Sequence, residues 1–90
     1  MSNNTVGGWS AFRDVDNADK SFFESVLNGL VGMKYTPIFV ATQIVSGTNY
    51  SFLSKAIGAF PNAQLNMTLV RIYKPLSGEA HITSIEKIEP

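Results

Sequence analysis

Only one stretch of this chain carries apolar residues at helical spacing, and that scarcity constrains the fold. Phe22, Phe23, Val26, Leu27, Leu30 and Val31 fall on one line, with Lys20, Ser21, Glu24, Ser25 and Asn28 off it, so they share one face of a helix. Asp14, Asp16, Asn17 and Asp19 precede that face. Their side-chain oxygens suit the unpaired amides of a first helical turn. Gly29 and Gly32 weaken the last turns by roughly 1 kcal/mol each relative to Ala, and Gly32 is expected to close the helix before Tyr35.

The remainder reads as strands. Trp9, Ala11 and Phe12 suggest a short one ahead of the helix. Residues 38–45 are rich in β-branched and apolar side chains, and Pro37 is tolerable only near that strand's start or on an edge. Residues 48–56 continue after a turn, so the two runs form an antiparallel hairpin. Gly58, Pro61 and Asn62 punctuate a loop, and residues 67–73 alternate cleanly. After a turn at 75–78, Ile82, Ile85 and Ile88 recur every third residue, which predicts a returning strand with a bulge. Strand, helix, then four strands in two hairpins is an α+β order, an antiparallel sheet packed on one helix. The other sheet face meets solvent or a partner.

Ninety residues make one domain, residues 1–90, able to bury roughly 60% of the surface its unfolded chain exposes. Residues 1–7 are polar and end at Gly7-Gly8, the composition of a flexible N-terminal arm. Seven basic and seven acidic residues cancel and are scattered, so neither nucleic acid nor an anionic membrane is an expected partner. No apolar run approaches the roughly 18 residues of a membrane span. The first residues lack the basic start and apolar stretch of a secretory leader, and the absence of cysteine suits a reducing compartment, so a cytoplasmic location is expected. A monomer is expected, with exchange of hairpins into a swapped dimer as the other state a strained turn allows.

The residues point to binding and not to catalysis. His81 is the sole histidine and is assigned to the surface; with no cysteine there is no ligand set with metal spacing. No serine sits in a nucleophile elbow, and the glycines never assemble into a phosphate-cradling loop. Neither an enzyme nor a cofactor is expected. Binding by loops remains. In Gln43-Ile44-Val45-Ser46-Gly47, Ser46 and Gly47 meet the needs of a turn, whereas Val45 places apolar surface at the tip, where water would otherwise be. The turn at 75–78 with Pro75 and Leu76 emerges at the same end in alternating hairpins, beside Gly7 and Gly8. Gly47 is read as a turn residue whose replacement by arginine obstructs docking and leaves the fold intact.

Taken in order, Val6-Gly7-Gly8, Gln43-Ile44-Val45-Ser46-Gly47 followed by Thr48-Asn49-Tyr50, and Pro75-Leu76 resemble the three segments of the cystatin superfamily. The likeness is to its disulfide-free stefins, with some features of plant cystatins, and spans roughly residues 6–88. Its central motif is Gln-x-Val-x-Gly. The second turn lacks the Pro-Trp pair of many secreted members, as stefins do, and the helix lacks the plant signature. The resemblance implies a four- to five-stranded antiparallel sheet wrapped around one helix and reversible inhibition of papain-like cysteine proteases without a cofactor. It implies that Val6 enters the enzyme's apolar second subsite, that Gly7 turns the backbone away from the catalytic cysteine, that Val45 and its neighbours seal the centre, and that Leu76 supplies contact on the far side. The other reading the resemblance allows is a cystatin-fold interaction module that inhibits nothing.

Overall fold

The computed structural model describes residues 7–90. Five strands and one helix occur in the order β1 (Arg13–Asp14), α1 (Asn17–Leu27), β2 (Met33–Val45), β3 (Gly47–Gly58), β4 (Leu65–Lys74) and β5 (His81–Ile88). The strands form one sheet in sequence order, antiparallel throughout. This is the α+β arrangement expected, a sheet with a single helix among the described residues. None of those residues forms a helix long and apolar enough to cross a membrane.

The helix starts where the aspartates direct it. Asp16 is the N-cap: its Oδ1 accepts from the Asp19 N–H at 2.8 Å, and Asp19 Oδ2 accepts from the Asp16 N–H at 2.9 Å. This reciprocal box satisfies two first-turn donors. Arg13 grips the same carboxylate with both guanidinium ends, at 2.6 and 3.1 Å, and so ties β1 to the helix start. The Arg13 hydrogen bond is the largest influence holding the Asp19 carboxyl below its ordinary pKa; partial burial opposes it, and the Asp16 amide assists.

The expected helical face is only partly used. Phe23 and Leu27 are buried against Val40, Phe52, Val70 and Ile72, and register places Val40, Phe52 and Val70 opposite one another across three strands. The Phe23 ring meets Phe52 edge-on at 4.9 Å, while Phe22 lies 4.7 Å from Tyr50. Truncating a ring so placed costs about 3–5 kcal/mol. Leu30 and Val31, assigned to the same face, are 45% and 90% exposed. The helix ends at Leu27 because Asn28 leaves helical geometry at ψ 130° and Gly29 follows with φ +98°. Gly32 is therefore not the stop.

Two other expectations need correction. The first strand is Arg13–Asp14 and not Trp9 to Phe12, although Trp9 bridges to Gln43. Regular pairing fails there because Ser10 Oγ, not a backbone carbonyl, accepts the Thr42 N–H at 2.9 Å. β2 begins at Met33 and not at residue 38, so Pro37 is buried inside it, but β1 pairs only with Phe39 and Val40, which leaves Pro37 on an edge as expected. Pairing slips between Pro37 and Phe39, leaving Ile38 as an extra residue where β1 coverage begins. The bulge expected in the last strand is present: Arg71 pairs with Ser84 and Ile72 with Ile82, so Thr83 is unmatched.

Candidate functional site

The β2–β3 connection is as tight as a hairpin becomes. Val45 pairs with Gly47, leaving Ser46 alone at the apex. Val45 is half-buried, not at the tip, and the exposed aliphatic side chain is Ile44, at 42%. Gly47 has φ +100° and is buried. A Cβ there would overlap the Lys74 carbonyl oxygen and come within 2.9 Å of Tyr73 Oη and 3.0 Å of Pro75 Cα. Gly47 therefore serves two needs, a backbone conformation that side chains resist and the close approach of a second strand end. The expectation that arginine at this position leaves the fold intact is overturned, since the atom it would strike first, the Lys74 carbonyl oxygen, is backbone, as is Pro75 Cα.

Those neighbours belong to the second turn. Thr48 pairs with Lys74, so β4 ends beside the start of β3 and the chain leaves for residues 75–78 at the same end of the sheet. The Tyr73 hydroxyl donates to the Ser46 carbonyl and fastens one turn to the other. Lys74 Nζ donates to the carbonyls of Gly78 at 3.2 Å and Pro75 at 3.5 Å, drawing the second turn closed. Pro75 is half-buried beneath it and Leu76 stands out, 82% exposed. His81, on the surface as expected, meets the Tyr73 ring edge-on at 5.8 Å.

The amino-terminal segment reaches this end of the sheet as well. The Gly7 N–H donates to the Ile44 carbonyl at 2.9 Å. Gln43 Nε2 donates to the Gly7 carbonyl at 3.0 Å, and Gln43 Oε1 accepts from Asn49 Nδ2 at 2.9 Å. Gly7, expected in a free arm, is held at the sheet edge, with Gly8 half-buried beside it. Its φ of +86° with no atom near a would-be Cβ shows that backbone direction, not crowding, calls for glycine there. Val6 lies outside the described residues.

The structure thus gathers Gly7, Gly8, Gln43, Ile44, Val45, Ser46, Gly47, Pro75 and Leu76 at one end. It adds residues that motif reading missed: Tyr73, Lys74 and Asn49. Asn49 had a signal, since an apex at Ser46 puts it directly across from Gln43. Tyr73 had none beyond its place in an alternating strand. Nearby, the Arg71 guanidinium lies 5.9 Å over the Trp9 ring. Among the described residues no three His, Asp or Glu side chains gather to hold a metal. What the end presents is backbone, two exposed aliphatic side chains and hydrogen bonds already made, a surface suited to docking a preformed shape. The chain matches none of the protein-family models and none of the curated proteins with which it was compared.

Proposed function

We propose that the chain is a reversible, tight-binding inhibitor of papain-like cysteine proteases built on a cystatin-like fold. One observation carries this reading: the Gly7 segment, the Gln43 to Gly47 turn and the Pro75-Leu76 turn are hydrogen-bonded or packed side by side at one end of the sheet. Those are the three segments whose sequences resemble the inhibitor family. Such an end is a wedge for a cleft. Val6 enters an apolar subsite, and the turn of the backbone at Gly7 keeps peptide carbonyls beyond the roughly 3 Å at which a thiolate attacks. The inhibitor then occupies the cleft uncut.

An interface of about 800 Å² per partner is ordinary for protease inhibitors, with a few anchors carrying most of the energy. Val6, Val45 and Leu76 are the anchors on this reading, and exposed Ile44 joins them. Little ordering entropy is lost because both turns are locked before contact. Titration against papain and a cathepsin tests the reading. Nanomolar inhibition is expected; no inhibition at micromolar concentrations would leave an interaction module in its place. Removal of residues 1–7 should weaken binding mainly through faster dissociation.

A further inference from the structure

We propose that Asn49 is a positioning residue for the N-terminal arm, acting through the Gln43 side chain. Its consequence for inhibition rests on the reading above; the positioning itself does not. A glutamine amide has two unlike ends, a donor and an acceptor, and its terminal torsion is soft and roughly two-fold. Only Nε2 can serve the Gly7 carbonyl. Asn49, paired with Gln43 across the hairpin, offers its Nδ2 donor at 2.9 Å to Oε1, which leaves Nε2 aimed at Gly7, 3.0 Å away. The Gly7 residue is thereby held on both sides, its N–H by Ile44 and its carbonyl by Gln43. A two-step chain of hydrogen bonds thus fixes the orientation of the Gly7 backbone, and each bond polarises the next.

Asn49→Asp tests the relay with almost no change of shape. A carboxylate only accepts, so the Gln43 amide turns over to donate to it, and Oε1 then faces the Gly7 carbonyl, acceptor against acceptor. Loss of one such hydrogen bond corresponds to about a fivefold change in an equilibrium. The expected results are a Gly7 amide that exchanges with solvent about fivefold faster by NMR, and dissociation from papain faster by a similar factor with little change in association. In a Gln43→Met background, Asn49→Asp should alter neither rate. Unchanged Gly7 exchange, or an equal effect of Asn49→Asp with Gln43 removed, would overturn the relay. Faster exchange with unchanged dissociation would overturn its role in binding. If the unaltered chain inhibits no protease, the inhibitor reading fails alone, and the exchange measurements still decide the relay.

Discussion

The Tyr73 hydroxyl hydrogen-bonds the Ser46 carbonyl, joining the apex of the first turn to the end of the strand that launches the second. The bond is exposed, so its net worth is about 1 kcal/mol. Tyr73→Phe keeps the ring against His81 and removes only the donor. We expect urea denaturation to show a loss of about 1 kcal/mol or less. On the inhibitor reading, dissociation from papain should rise several-fold, because the two turns no longer hold one spacing. Equal dissociation rates for the two proteins would show that the turns act independently.

Gly47 and Gly78 both have positive φ, at +100° and +111°, but differ in their surroundings. A Cβ at Gly78 would find only Pro75 Cγ at 3.6 Å, whereas one at Gly47 strikes the backbone of Lys74. Gly78→Ala should therefore cost only the conformational term, about 1–2 kcal/mol. Gly47→Ala adds a steric term of about 1–3 kcal/mol. Chemical denaturation of the two variants separates these terms, and equal losses would mean that the strand ends move apart freely.

That pair also shows what was legible in the residues. Glycine in the motif announces a positive φ, but the crowding at Gly47 comes from a strand that joins it only through register and is invisible to a local reading. The helix shows the same limit. Phe22, Phe23, Val26 and Leu27 identify its face, while Leu30 and Val31 continue the period past the point where the helix stops. Periodicity reports what a helix would bury, not where Asn28 and Gly29 take the chain out of it, at ψ 130° and φ +98°. Alternation made β4 plain, and the threefold spacing of isoleucines signalled that β5 carries a bulge but not that it falls at Thr83. At Trp9 and Ser10 a side-chain oxygen replaces a backbone partner, a substitution that composition does not reveal.

The Arg13–Asp19 pair makes part of the stability depend on acid. Its carboxyl is depressed below the ordinary range, chiefly by the Arg13 hydrogen bond. Its contribution is therefore complete above the unfolded-state pKa, about 3.9, and is lost as pH falls through the lower folded-state value. Arg13 is half exposed at 52%, which limits the pair to about 1 kcal/mol or less. Asp19→Asn still accepts from the Asp16 amide but loses the charge. Denaturation curves should show the unaltered chain more stable near pH 7, with the difference shrinking as pH falls from about 5 to 2. A constant difference across that range would remove the ion pair from the account.

Leu76 and Val31 are both strongly exposed, at 82% and 90%, yet lie at opposite ends of the sheet. Leu76 crowns the turn beside Gly47. Val31 precedes Gly32, whose carbonyl accepts from Ala59 next to the Met33–Gly58 pair, at the far ends of β2 and β3. Replacing either with aspartate should change stability by no more than about 0.5 kcal/mol, since neither side chain is packed. Their effects on inhibition should diverge. Leu76→Asp places a charge in the proposed contact and should weaken papain binding at least about tenfold, or roughly 1.4 kcal/mol. Val31→Asp should leave it unchanged. If instead Val31→Asp weakens binding and Leu76→Asp does not, the partner docks at the helix-exit end and the wedge assignment is reversed.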